Sequence, residues 1–477
     1  MSDRQIHLST YMTETEALMW AAESDPWFSS GMGSLFLLDD APDFERFSNA
    51  MLDASHTLTR LRERVEEGFG LAPPRWVIDE DFDISDHVRH VQLPKPGSLD
   101  QLLELTAQVF QDPFDTSRPL WEFVAVSGAA GRKSKNSVHG AIIMKLHHSV
   151  SDGIGALRLA EMYLDFERHP PVVERAADDD AGEILPVVQD DSAGGLAADV
   201  EFVVKKQLAQ SRRIAAEVAL WGADSGRVKD VVGKAGDAVK AATGQLNAKP
   251  IETGSPEWRT RSRQRHLEVF DVGLDDLKAA AKRLGGSVND AFVAGSVLGA
   301  QRYHEAVGVQ VPQFNLSFVM STRSDDAAGG NAFTPVPFSV HGDYASVQDL
   351  FVATRDAIAE RIDEVLGASP DALNLMVGFA SLLPSSILSK AGRARASTQD
   401  WATSNLRGAP IPIYTAGAEI THMYPIGPVA GTAFNLTAMS YCGTLHFGCF
   451  LDPKAVDQPA LLRTSMVQAY ADICAAE

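Results

Sequence analysis

The stretch Val138-His139-Gly140-Ala141-Ile142-Ile143-Met144-Lys145-Leu146-His147-His148-Ser149-Val150-Ser151-Asp152-Gly153 decides how this chain is read. Its first nine residues are largely β-branched or apolar and carry almost no charge, the composition of a buried strand. Beyond it, Leu159, Met162, Tyr163 and Phe166 recur at helical spacing, with Arg158, Glu161, Asp165 and Arg168 on the other side. The pattern predicts a strand, a sharp turn eased by Gly153, and a helix. Such a turn presents a side chain at the mouth of a cleft.

Adjacent strand residues point to opposite faces, so only one of His147 and His148 can face a given cleft, and the other is structural. His148 stands four residues before Asp152. An imidazole there acts as a general base if its tautomer is fixed, and the carboxylate of Asp152 is suited to holding the turn. The competing reading is a metal site built from His147, His148 and Asp152. Adjacent strand histidines converge poorly on one ion, and the chain has no HxH or HExxH cluster. No metal is therefore expected.

His147–Gly153, HHSVSDG, matches the HHxxxDG motif of the bacterial wax ester synthase/diacylglycerol acyltransferase family. It is more distantly similar to the HxxxD motif of chloramphenicol acetyltransferases, peptide-synthetase condensation domains and plant acyltransferases. Pro119-Leu120-Trp121-Glu122 resembles the family's PLWE element, and Asn289-Asp290 its ND motif. Ser321-Thr322-Arg323 with Gly330-Asn331, and Ser404-Asn405 with Pro412-Ile413-Tyr414-Thr415-Ala416-Gly417, resemble further family elements in the same order. The resemblance runs from about residue 10 to about residue 460. Two stretches depart from it. Met12-Thr13-Glu14-Thr15-Glu16 lacks the usual proline and aspartate, and Leu406-Arg407-Gly408-Ala409-Pro410 replaces valine-proline-glycine-proline. Both bear on the acceptor rather than on the chemistry.

The resemblance implies an α/β fold of two chloramphenicol-acetyltransferase-like lobes of mixed sheet and helices. A long helical linker would join them, and an active-site tunnel would run between them. It also implies an acyl-CoA-dependent O-acyltransferase that esterifies diacylglycerol, a long-chain alcohol, or both. Alternatives are the same chemistry on a complex-lipid or specialised-metabolite hydroxyl, and a non-catalytic lipid-binding paralogue. His148 would be the base, with His147, Asp152, Gly153 and Asn289 in the same site. Arg323 would hold Asp152 in an ion pair. Asn289 could contact an acyl or alcohol oxygen, whereas Asp290 reads as half of a capping box with Ser287. Pro119 and Trp121 read as scaffold, because a large indole at a strand end usually packs a core. Acyl-CoA is expected as a co-substrate, with no permanently bound cofactor. No GxSxG elbow invites an acyl-enzyme, and no phosphate-cradling glycine loop marks the CoA site.

A chain of 477 residues exceeds one ordinary domain. The reading divides it into 1–185, a helical linker over 186–262, and 263–477. In the second lobe a strand is expected near Arg265–Phe270, followed by a helix stopping at Gly285-Gly286. Asn435–Tyr441 and Thr444–Leu451 would form a hairpin about Cys442-Gly443. The net charge of −21 argues against nucleic acid as partner. The three cysteines lie near the end without metal spacing and suit a reducing compartment. With no apolar signal core and no apolar run of about 18 residues, a cytoplasmic location is expected, with peripheral contact at the inner membrane face or lipid droplets.

Residues 200–250 carry nine Lys or Arg against five acids in a strongly acidic chain. Phe202, Val203, Leu208, Ile214, Val218, Leu220 and Trp221 give this segment amphipathic character. It reads either as a solvated connector or as a contact for anionic lipid. Deleting 200–250 should abolish co-sedimentation with anionic liposomes if lipid contact is its role. Unchanged binding by a folded deletion variant would leave the connector.

Overall fold

The structure, a computed structural model, describes residues 11–23, 30–68, 72–128, 137–150, 159–160, 162–170, 254–321, 333–367 and 398–476. Asp152, Gly153, Arg323, Gly330, Asn331 and nearly all of the expected linker lie outside them. In chain order the first part supplies α1 (Glu14–Ala22), β1 (Gly31–Leu38), α2 (Phe44–Thr57), β2 (Glu63–Glu66), β3 (Arg75–Ile78), β4 (Val88–Gln92), α3 (Leu99–Gln111), β5 (Trp121–Ser127) and β6 (Gly140–His147). The rest supplies β7 (His266–Gly273), α4 (Leu274–Arg283), α5 (Val288–Val307), β8 (Gln313–Ser321), β9 (Phe333–His341), α6 (Val347–Gly367), β10 (Trp401–Arg407), β11 (Tyr414–Thr415), β12 (Ala418–Ile426), β13 (Phe434–Tyr441), β14 (Thr444–Leu451) and α7 (Pro459–Ala475).

Among the described residues the strands form two six-stranded sheets, ordered β11-β12-β1-β6-β5-β4 and β7-β14-β13-β10-β8-β9, beside a β2-β3 ribbon. Both large sheets are mixed: β4 runs parallel to β5, and β10 parallel to β13 and β8. The expected α/β class with two lobes of mixed sheet is what the chain forms.

β6 explains its own apolar run. Ile142 and Leu146 pack with α2 and Trp121 on one face, while Ala141 and Ile143 pack with α3 on the other. A strand covered on both faces reads as continuously apolar rather than alternating. Of the helical face expected after it, Leu159 and Tyr163 are buried, but Phe166 is 78% exposed. The helical residues end at Tyr163, and Asp165 instead bridges to Tyr414. The period of 3.6 therefore no longer governs Phe166.

The expected hairpin is present, with β13 antiparallel to β14. Its turn residues Cys442 and Gly443 both have positive φ, 47° and 81°, as a two-residue hairpin loop requires. The expected capping box is present too: Ser287 Oγ accepts from the Asp290 amide, and Asp290 Oδ2 accepts from the Ser287 amide at 2.7 Å.

The simple division at residue 262 needs one correction. β11 and β12 lie within 263–477 yet complete the first sheet, β12 pairing antiparallel with β1. The register slips between Leu37 and Leu38, which places an additional residue on β12. A bulge of that kind reverses the side-chain alternation. Ala418 and Ile420 therefore face α2's cluster, while Tyr424 and Ile426 turn toward Leu267, Val269 and Phe450 of the second sheet.

The two sheets meet there with almost no space. A Cβ on Gly448 of β14 would lie 1.9 Å from the Pro425 carbonyl oxygen of β12. Only a residue without a side chain lets the backbones come this close. Gly448→Ala should therefore destabilise the protein by about 1–3 kcal/mol, read as a lower denaturation midpoint, and Gly448→Val should cost more. An unchanged midpoint for the alanine variant would show that the seam yields.

Candidate active site

The histidine turn is built from backbone first. β6 lies between β1 and β5, and its last residue, His147, pairs with Gly31 of β1. On the other side the His147 amide donates to the Leu120 carbonyl at 2.9 Å. The His148 amide then donates to the Ser30 carbonyl at 3.0 Å, and the Val150 amide returns to the His147 carbonyl at 2.9 Å. Both neighbouring strands therefore hold the turn where the chain leaves the sheet.

His147 is sealed, at 0% exposure. Its ring lies edge-on between Trp20 and Phe114, with centroids 6.0 and 5.9 Å away. Nδ1 accepts from the Ser149 amide at 3.1 Å and lies 2.6 Å from the Ser149 hydroxyl. An amide N–H only donates, so this network assigns the neutral ring's proton to Nε2. Nε2 faces Glu23 Oε1 at 3.3 Å, a distance of charge contact rather than of a well-directed hydrogen bond. Burial opposes ionisation of Glu23, but His147 and the Ser30 amide outweigh it and hold the carboxyl below its ordinary value.

Lys145, two residues earlier on the same face, is also buried. Its Nζ donates to the Asp112 carbonyl at 2.6 Å and sits 4.3 Å over Phe114. Burial lowers its pKa against the pull of Glu122, Asp112 and Glu23.

His148 is different, being only half-buried. Burial lowers its pKa, its own backbone carbonyl works against that by accepting from the ring, and the neighbouring His147 lowers it further. Burial thus favours the neutral ring over the imidazolium, and a neutral imidazole keeps a lone pair on one nitrogen. That is the state a general base needs.

The remaining expected residues fall on both sides of the prediction. Pro119 and Trp121 are buried. Trp121 stacks on His87 with centroids 4.4 Å apart, donates from Nε1 to the Leu61 carbonyl at 2.8 Å, and lies opposite Leu146. It packs the wall beside the turn. Asn289 occupies the first turn of α5, half-buried. Among the described residues no hydrogen bond joins it to the His147–Val150 turn. Sequence reasoning missed Glu23, Ser30 and Ser149. Ser149 was findable as a hydroxyl two residues past a strand-end histidine. Glu23, 124 residues from His147, had no local signal.

Comparison with known proteins follows the same outline. The wax ester synthase/diacylglycerol acyltransferase catalytic domain matches residues 8–292, and the C-terminal domain of the same family matches 344–474. A protein of Mycobacterium tuberculosis strain H37Rv, provisionally named a diacylglycerol O-acyltransferase, is 30% identical over 98% of this chain and 92% of its own. A second from that strain, with the same kind of provisional name, is 26% identical over 98% and 96%. Among solved structures, the wax ester synthase/diacylglycerol acyltransferase of Marinobacter aquaeolei VT8 aligns with a TM-score of 0.63 at 19% identity, covering 98% of both chains. The first condensation domain of the calcium-dependent antibiotic synthetase aligns at 0.55 and 16%, over 99% of this chain and 98% of that domain. At those identities the likeness is one of fold.

A pH titration followed by NMR of the histidine ring protons should show His148 titrating below the ordinary imidazole value of about 6.5. With the folded pKa lowered, this group costs the fold nothing above that pH. A penalty grows as pH falls from the unfolded pKa through the folded one. A His148 ring that titrates above 6.5 would contradict the effect of burial.

Proposed function

This chain belongs to the wax ester synthase/diacylglycerol acyltransferase family, and from that premise we propose that it esterifies diacylglycerol with the acyl group of acyl-CoA, using His148 as general base. The lone-pair nitrogen of His148 takes the hydroxyl proton as the alcohol oxygen attacks the thioester carbonyl. A C–O bond forms and the carbonyl electrons move onto oxygen. The tetrahedral oxyanion collapses, the C–S bond breaks, and the imidazolium returns the proton to the CoA sulfur. An ester and free CoA result, with no covalent acyl-enzyme. General-base assistance supplies about 10²- to 10⁴-fold. Orientation and oxyanion stabilisation supply the remainder.

The observation that carries this reading is the split between the two histidines. His147 is sealed with Nδ1 engaged by Ser149, whereas His148 is half-buried and burial favours its neutral form. The relatives' names favour diacylglycerol as acceptor, and the family name adds a long-chain alcohol. In the same proposal the two substrates meet in a tunnel between the lobes, Asp152 holds the loop through Arg323, and Asn289 contacts an acyl or alcohol oxygen.

Peripheral lipid contact belongs to it as well. Its support is Phe166 at 78% exposure beside Asp165, and Ile411 at 50%, three residues before Asp165's bridge partner Tyr414. Among the described residues no helix is long and apolar enough to cross a membrane.

Radiolabelled palmitoyl-CoA offered with diacylglycerol, hexadecanol or a sterol tests the reading directly. Label should appear in triacylglycerol, and His148→Ala should remove nearly all of it while CoA binding persists. An active His148 variant beside a folded but inactive His147 variant would reverse the assignment. Label in none of the three neutral lipids would overturn the acceptor class.

A further inference from the structure

We infer that Glu23 is a positioning residue for His148, acting through two separate contacts of one carboxylate oxygen. The inference rests on the reading of His148 as the base. Glu23 caps the C-terminus of α1 and lies 124 residues from the histidine turn in sequence. Its Oε1 accepts the Ser30 amide at 2.7 Å and faces His147 Nε2 at 3.3 Å. Each contact leads onward to the turn.

Along the first route, the Ser30 carbonyl accepts the His148 amide at 3.0 Å. Fixing the Ser30 peptide therefore fixes the backbone that carries the base. Along the second, Glu23 faces the nitrogen that carries the His147 proton. Nδ1 is thereby left as the acceptor for the Ser149 amide at 3.1 Å. With the opposite tautomer, an Nδ1 proton would point at that amide and open the turn. One anion thus selects the tautomer on one side of His148 and the peptide orientation on the other. Trp20 and Phe114 pack against the sealed His147 ring, and burial on that side strengthens the contact at Nε2.

Glu23 touches no reacting atom, so its removal should lower turnover rather than binding. Glu23→Ala should reduce kcat about 10²-fold, the order expected when a reacting group is misplaced by about 1 Å. The KM for acyl-CoA should stay within about twofold. Glu23→Gln keeps an oxygen that accepts the Ser30 amide and faces His147 Nε2–H, and should recover most of the loss.

The measurement is kcat and KM per folded protein for Glu23→Ala, Glu23→Gln and His148→Ala side by side, with folding checked by circular dichroism. Loss in the alanine variant, rescue by glutamine and an inactive His148→Ala support the inference. Wild-type kcat in Glu23→Ala, or a glutamine variant no better than alanine, overturns it while leaving the base assignment standing. Should Glu23→Ala not fold, the glutamine variant decides alone: near-wild-type kcat supports the role and a 10²-fold loss refutes it. An active His148→Ala removes the premise itself.

Discussion

The site depends on the two hydrogen bonds that close a ladder. β6 is an interior strand, so at its end the amides of His147 and His148 still find acceptors, Leu120 on one side and Ser30 on the other. At an edge strand one of these carbonyls would be missing and the turn would fray. Interior placement therefore does for the histidine pair what a covalent restraint would do. It also sets the two imidazoles apart, because the pleat sends one ring inward and leaves the other half-buried at the point where the chain departs. The buried one then serves as a brace, engaged at Nδ1 by Ser149 and facing Glu23 at Nε2.

A second cluster makes the same point by contrast. Ser255 Oγ lies 2.7 Å from His304 Nε2, and His304 Nδ1 donates to the Ala300 carbonyl at 2.7 Å. By distance alone this is a hydroxyl beside an activating base. Yet Ser255 is 0% and His304 2% exposed, with Trp258 across the ring. The pair instead holds the chain ahead of β7. Asp400 assists there, accepting the Ser255 and Asn315 amides at 3.0 and 2.8 Å. Burial pushes its pKa up to about 6 against the pull of those two amides. Access, rather than hydrogen-bond geometry, distinguishes this sealed pair from the half-buried His148.

The two sheets are not independent bodies that happen to touch. β12 comes from the later part of the chain, pairs with β1 and lies against β14 closely enough that Gly448 has no room for a side chain. One strand thereby belongs to the first sheet by hydrogen bonding and to the seam by packing. Tyr424 extends this polar seam by donating to Asp271 of β7 at 3.2 Å, and His446 of β14 lies 2.6 Å from the same carboxylate. A division into consecutive lobes misses such an exchange because composition along the chain does not record which sheet a strand joins.

Several features were fixed by local sequence. The apolar run 140–147 had to be a covered strand, the Ser287–Asp290 spacing had to cap a helix, and Cys442-Gly443 had to turn a hairpin. Each involves residues a few positions apart, where backbone sterics and hydrogen-bond reach act directly. Adjacent histidines likewise had to face apart, and the HHSVSDG run with its companions marked the family. What remained undetermined depended on contacts across long separations. The bulge that turns Tyr424 toward the second sheet arises from pairing with β1. The exposure of Phe166 follows from a bridge to Tyr414. The proton on His147 Nε2 is set by Ser149 and Glu23 together. Periodicity carries no information about a carboxylate 124 residues away, and only the packed chain brings it to the imidazole.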